Sequence, residues 1–442
     1  MRKKHTYYTI LFFAIILWCN QAMGEKPLNV KTHINWSKTK CQINKAHWAI
    51  NDYETATPAL IADTDLWKYT QVLNPDIVRI HHALLSDSLT TPETQTWDKK
   101  RIATIFELAQ KAFPNARFLV NPICVWPKFM NVEGEVLNSE QESEIIRLFA
   151  DFALIVKELK LPIYAIEIFN EREQAYDKEG KLPQLWNLYN RISTEIAKQN
   201  NEIKIAGPAL TWPKPQWVES FLDTCGKQTD IFTWHGYASG NPQTPNKEII
   251  SNGVDKFASF AQYTNKEITK RGLTKLKNYM TEYNIQWVWE PYETRHGSNV
   301  GAVFQALTIS CLAKQHLDGL MVWHLKGHSY GLIENNDEIR STGYLYLWGN
   351  KYLCGKMVKT TTSDTRLETV AVENTEGKRS LLLINKSDNH LNFKLNNKDI
   401  GFEPAYSAQI NDSGFKPQDI IINNYEIDLE PWSVTLLTSN KN

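Results

Sequence analysis

The chain has 442 residues, in which 49 Lys and Arg balance 49 Asp and Glu. That length suits one large domain with a small companion, and the even charge excludes the strongly basic surface of a nucleic-acid-binding protein. The six cysteines have no metal-ligand or redox spacing, so buried free thiols are expected and a disulfide framework is not.

Residues 1–24 open with Arg2, Lys3 and Lys4, run through an apolar stretch at 10–18, and end Ala22-Met-Gly24. This pattern predicts a secretory signal peptide cleaved after Gly24, and hence a secreted or periplasmic mature chain with no transmembrane span. Lipoprotein anchoring at Cys19 is disfavoured, because Trp18 is far too bulky for the position before such a cysteine. The leader carries three positive charges and no acidic residue, so the mature chain has a net charge of −3.

Beyond the leader, apolar runs that read as strands recur at 44–50, 77–83, 116–123, 164–170, 204–209, 231–236, 278–282 and 318–324. Amphipathic stretches separate them. The clearest begins at Ser139, where Glu142 three residues on completes a capping box; Ile145, Phe149, Phe152, Val156 and Leu159 then mark one helix face. Alternation of strand and helix eight times predicts an α/β fold, a (β/α)8 TIM barrel over 25–357. No glycine-rich phosphate loop follows the first strand, which argues against an open dinucleotide-binding sheet. After about residue 357 helical periodicity gives way to short alternating runs, predicting a C-terminal β-sandwich over 358–442. The extended segment 28–34, within 25–42, is a candidate further strand of that sandwich.

The chemistry concentrates at strand ends. Tyr164-Ala-Ile-Glu-Ile-Phe-Asn-Glu171 and Asn278-Tyr-Met-Thr-Glu282 each close on a glutamate. Paired carboxylates at the C-terminal rim of a barrel are the equipment of glycoside hydrolysis, one as acid and the other as nucleophile or base. A single glutamate after a strand is more often a helix cap or a solvated loop charge; the pair, one of them preceded by Asn170, reverses that balance. Alternation along the fourth strand puts Glu167, Phe169 and Glu171 on one face and Asn170 on the other, so Glu167 is expected deeper, as a buried hydrogen-bonded residue. Arg79 on the second strand, sharing a face with His81, needs a carboxylate partner. Glu167 would make it structural, whereas a nucleophilic glutamate, kept ionised by the guanidinium, would make it functional. His235 and Tyr237 share a face at the end of the sixth strand, where a hydroxyl can donate to the nucleophile and an imidazole can orient it or bind a sugar hydroxyl. Several tryptophans lie near strand ends: Trp323 at the eighth, and Trp126, Trp212, Trp234, Trp287 and Trp289, which are candidates to stack on further sugar units. Most tryptophans pack, and only Trp323, as an apolar floor under a sugar, and Trp126 are taken as substrate-binding.

With these residues in view the chain resembles the clan A glycoside hydrolases, in which Asn-Glu ends the fourth strand and Glu the seventh. The matching positions are Asn170-Glu171 and Thr281-Glu282-Tyr283-Asn284, with Arg79, His235-Gly-Tyr237 and Trp323, and a final Leu429-Glu-Pro-Trp-Ser-Val-Thr-Leu436 similar to the last sandwich strand of xylosidases and arabinofuranosidases. Family thirty-nine is nearest, with families thirty, fifty-one and seventy-nine as neighbours. The resemblance implies a retaining glycosidase acting on a carbohydrate without cofactor or metal, with Glu171 as acid/base, Glu282 as nucleophile and Asn170 holding the sugar 2-hydroxyl. An enclosed site and the negative Glu282 would then raise the pKa of Glu171. The departures are Phe169 where many relatives carry tryptophan, the His81-His82 pair, and Lys326 and His328, whose charge fits an anionic sugar or equally a solvated loop. Two rival readings are a metal-dependent barrel hydrolase using His81, His235, His324 and His328, and a non-catalytic sugar-binding protein.

Overall fold

A computed structural model describes residues 28–52, 66–83, 85–420, 422 and 425–439. The leader, with Cys19 and Gly24, lies outside the described residues. Eight parallel strands close into a barrel: β1 (Ala49–Asp52), β2 (Ile77–His81), β3 (Arg117–Asn121), β4 (Ile163–Glu167), β5 (Lys204–Leu210), β6 (Ile231–Ser239), β7 (Lys277–Gln286) and β8 (Gly319–Val322). Each pairs with its neighbour in sequence, and Met321 opposite Ala49 closes the ring. The chain is thus the eight-stranded barrel that the alternation predicts.

Two element starts differ from their sequence reading. Residues 45–48 form a 3-10 turn, Lys45–Trp48, in which the His47 N–H donates to the Asn44 carbonyl at 3.1 Å and the His47 ring accepts from the Asn44 backbone N–H at 3.2 Å; β1 starts only at Ala49. Helix Ser139–Glu158 is capped one residue earlier than expected, by Asn138, whose Oδ1 accepts from the Glu140 and Gln141 N–H groups at 3.0 Å. Gln141 returns the bond to the Asn138 N–H, and Glu142 is left free to accept from Gln184 and Arg191. Ile145, Phe149, Phe152 and Val156 are buried, as their spacing requires, whereas Leu159, expected on the same face, is the C-cap residue and is exposed.

Strand periodicity stacks the barrel interior in layers. Ala49, Ile77, Leu119, Ala165, Ala206, Ile231, Tyr279 and Met321, one from each strand, form an apolar plug. Two residues further along, Asn51, Arg79, Asn121, Glu167, Thr233 and Thr281 make a polar layer that is fully buried. Arg79 organises it, donating to Glu167 at 2.7 Å and to Asn51 at 2.9 Å. Removing one member of a buried ion pair strands the other, so Arg79→Met is expected to cost about 3–5 kcal/mol, read as a lower urea midpoint at unchanged slope.

The remaining strands form two antiparallel-rich sheets beside the barrel. Seven strands run in the order Gln418–Asp419, Tyr406–Ile410, Ser433–Thr438, Arg379–Asn385, Leu367–Glu373, Gly355–Thr362 and Thr32–Ile43; three more, Leu28–Val30, Leu391–Lys394 and Glu426–Leu429, cover one face. Leu381 and Leu383 point into the sandwich, whereas Leu382 and Ile384 join the barrel's outer core. A strand buried on both faces explains the unbroken run 381–384, and it fixes the sandwich against the barrel through apolar contact. The five cysteines from Cys41 on are free thiols. Among the described residues no helix is long and apolar enough to cross a membrane.

Candidate active site

Above the polar layer, the C-terminal rim gathers His81, Asn170, Glu171, Tyr237, Glu282 and Trp323 around a cavity of about 510 Å³. Two local irregularities deliver the glutamates. In β7 the pairing with β6 shifts between Trp234 and His235, so that Glu282 lies level with His235. Tyr279 and Thr281 already face inward, and strict alternation would turn Glu282 outward; the bulge turns it in. In the other case β4 stops at Glu167, and the next turn is held by non-local backbone bonds, Ile168 N–H to Ala206 O and Glu171 N–H to Ala209 O, both 2.9 Å. Phe169 (φ 70°) and Glu171 (φ 55°) adopt left-handed conformations. Asn121 donates to the Phe169 carbonyl and pins the turn. Consequently Phe169 points away from the cavity, against Trp126 and Tyr189, and Asn170 and Glu171 both reach the site. That corrects the alternating assignment of 168–171.

Glu282 is 6% exposed. Its Oε1 accepts from Arg79 Nη1 at 2.8 Å and its Oε2 from the Tyr237 hydroxyl at 2.9 Å. Arg79 therefore serves Glu167 and Glu282 together, and its Nη2 donates to Asn170 Oδ1 at 2.7 Å. With Oδ1 so occupied, the Asn170 amide N–H groups are the ones turned to a ligand. His81 and His235 approach Glu282 Oε1 at 3.6 Å each, beyond hydrogen-bonding distance. Burial holds both imidazoles below the usual range, His235 at about 4, so both are neutral at pH 7. His235 Nδ1 lies 2.7 Å from Glu171 Oε1.

The Glu171 side chain is 35% accessible to water, yet it sits in a concave site whose walls leave it poorly solvated. Burial pushes its pKa up to about 7, and Arg79 opposes the rise. Desolvation is thus the source of the shift that the sequence attributed partly to the charge on Glu282. Buried Glu173, which accepts from the Thr211 N–H at 2.8 Å, is likewise pushed up to about 7 by burial. Oxygen atoms of Glu171 and Glu282 and a nitrogen of His235 lie within 4.8 Å of one another.

The expected residues do not all meet here. Trp323 is in the cavity wall, its ring 5.5 Å from that of His81. Trp126 is not: it is buried behind the wall, donating to the Glu135 carbonyl at 2.9 Å beneath the Arg172 guanidinium. Lys326 is buried and paired with Asp337 at 2.6 Å, and His328 packs on Trp289, so neither aims charge into the cavity. The wall does contain Arg172 and Tyr330, which the sequence reading did not name, and Trp287 and Trp289, named there as candidate stacking residues but not taken as substrate-binding. The signal for the tryptophans was present as Trp287-Val-Trp289, directly after a strand bearing a rim glutamate. Of the four histidines considered as metal ligands, among the described residues only His235 belongs to a group that could hold an ion, with Glu171 and Glu282. There the Arg79 charge, 2.8 Å from Glu282, opposes a second cation.

The fold is a (β/α)8 barrel flanked by a β-sandwich, and the C-terminal rim of the barrel carries a pair of carboxylates. No protein-family model matches the sequence, and no curated protein matches it. Solved structures do match. A monomeric β-xylosidase from Caulobacter crescentus CB15 superposes with a TM-score of 0.68 at 13% identity, over 93% of this chain and 99% of that one. A family 51 α-L-arabinofuranosidase from Bifidobacterium longum gives 0.68 at 11% identity, over 94% and 100%. A family 30 endoxylanase from Clostridium papyrosolvens C71 gives 0.60 at 14% identity, over 93% and 100%. At such identities the likeness is one of fold.

Proposed function

We propose that the protein is a secreted retaining glycoside hydrolase, with Glu171 as general acid/base and Glu282 as nucleophile. The observation that carries this reading is the placement of the two carboxylates across one cavity, oxygen atoms within 4.8 Å. Retaining enzymes hold their carboxyl groups about 5–5.5 Å apart, and inverting enzymes need about 6.5–9.5 Å to admit a water. The neighbouring structures are named as glycosidases, which supports the same class. The leader sequence supports secretion.

In the first step Glu171 gives its proton to the glycosidic oxygen while Glu282 attacks the anomeric carbon; the leaving alcohol departs and a glycosyl ester remains. Arg79 and Tyr237 hold the Glu282 carboxylate in place, and the Asn170 amide donates to the sugar 2-hydroxyl. In the second step ionised Glu171 takes a proton from water, which attacks the same carbon and releases Glu282. Neutral His235 orients Glu171 without competing for its charge.

The test is the anomeric configuration of the first-formed product, read by proton NMR. Screening begins with aryl β-xylosides and α-arabinofuranosides, the sugars that the neighbours' names suggest. Retention is expected, at a rate unchanged by a chelator. Inversion would overturn the mechanism, and activity lost to the chelator and restored by a divalent ion would favour the metal-dependent reading.

A further inference from the structure

Barrel and sandwich do not close completely against each other. A cavity of about 600 Å³ opens between them, larger than the one holding Glu171 and Glu282, and among the described residues none is common to the two walls. On the barrel side, the helix that runs from Asn246 to Lys270 widens into a π turn at Ile249–Gly253. Such turns are rare and concentrate at functional sites. Gly253 seats the turn on β6, since a Cβ in its place would lie 2.5 Å from that of Ala238. The turn and the residue after it give Ile250 and Val254 to the cavity, and Leu307 of helix Asn299–Lys314 joins them in a buried apolar floor. On the sandwich side stands Trp432, whose backbone is left-handed (φ 47°), a rare state for an aromatic residue. Bonds from both domains impose it: the Trp432 N–H donates to the Ser387 carbonyl and the Trp432 carbonyl accepts from the Asn299 amide, both at 2.9 Å. Backbone strain held in this way is a pointer to a binding surface.

The rim of this cavity is charged, and its charges are already paired. Lys314 bonds Glu368 at 2.9 Å, Lys386 lies 3.8 Å from the same carboxylate, and Arg366 grips Asp364 through two bonds of 3.0 Å. Arg366 also donates to the Asn389 side-chain oxygen at 3.3 Å. A phosphate or sulfate would have to displace one of these carboxylates to reach a cation. What the rim offers instead is donors and acceptors closely mixed around an apolar floor. A neutral sugar ring is the complement, with C–H bonds on its face and paired hydroxyls on its edge. We propose that the junction cavity is a second carbohydrate-binding site, which takes a neutral sugar unit of a glycan chain and anchors the protein to it, apart from the cavity of the two glutamates. Cleavage of that chain rests on the glycosidase reading; the second site does not.

The two claims separate in a titration of the Glu282→Gln protein, which keeps both cavities. The probes are neutral hexasaccharides of xylose, arabinose, glucose, mannose or galactose, followed by calorimetry. At least one should fill two sites per chain. Ser251→Arg sets a long side chain in the junction wall from an exposed helix position, and Asn389→Ala removes an exposed rim amide, so neither disturbs the core. Each should weaken one of the two sites about fivefold or more and leave the other unchanged. With Glu282 intact, the same variants should raise KM for the polymer and leave kcat for a small aryl glycoside as it was. One site per chain for every sugar would overturn the proposal, as would two sites undiminished in both the Ser251→Arg and Asn389→Ala proteins. Tighter binding of a sulfated or uronic hexasaccharide at the junction would overturn its neutral ligand class. Two filled sites on a native protein that turns nothing over would instead remove the glycosidase reading and leave the second site standing.

Discussion

Replacement of Glu282 by glutamine is expected to lower turnover of every substrate at least about 10⁴-fold, with no substrate spared. An amide is nearly isosteric with the carboxylate but does not form the glycosyl ester, so the loss falls on the chemical step however good the leaving group. The surroundings add to it. Both Glu282 oxygens accept bonds in the folded protein, one from Arg79 and one from Tyr237. Glutamine has a single acceptor oxygen and must turn an N–H towards one of those donors. Arg79 keeps Glu167 as a charge partner at 2.7 Å, so the barrel should still fold. Intact-mass spectrometry with a 2-deoxy-2-fluoro glycoside, whose ester hydrolyses slowly, gives a second reading: the native protein should gain the mass of one glycosyl group and the variant none. Normal rates in the variant, or labelling at another residue, would sink the assignment.

Much of this site is written in local patterns, and the part that is not has a common physical cause. The apolar runs located all eight strands, and period-two alternation explains why Arg79 and His81 face the interior together. Alternation fails at the two places where the glutamates enter. Strict pleating would turn Glu282 outward and Asn170 away from Glu171. The β7 bulge and the left-handed turn at 168–171 overrule it, and both depend on partners from distant segments, such as the Ala206 and Ala209 carbonyls and the Asn121 amide. Residue identity recorded that two glutamates end strands at the rim; their direction was set by tertiary hydrogen bonds. The tryptophans make the same point from the side of packing. Trp126 and Trp287 both follow strands, yet the Arg172 guanidinium covers one, whereas the other, packed against Gly240, stays 55% exposed. Lys326 likewise looked like free charge at the rim until Asp337, eleven residues on, neutralised it.

For Glu171→Gln the loss should depend on what leaves. A natural linkage departs as an alkoxide unless it is protonated, and without its acid the first step should slow about 10²- to 10⁴-fold. A dinitrophenyl glycoside needs no proton, so its ester should form readily and then persist, because water has lost its base; a burst of phenol followed by slow turnover is the expected trace. Azide attacks without giving up a proton, and adding it should restore steady turnover and yield a glycosyl azide of retained configuration. The pH dependence follows from the same group. In the proposed mechanism Glu171 acts first as an acid; burial holds its pKa up to about 7, so kcat/KM for a natural linkage should fall as pH rises through about 7. Glu173 is raised to about 7 as well, so the alkaline limb alone does not name its owner. Glu171→Gln should flatten that limb and Glu173→Gln should retain it. The reverse result would make Glu173 the proton donor's partner in titration and leave Glu171 without its role as acid.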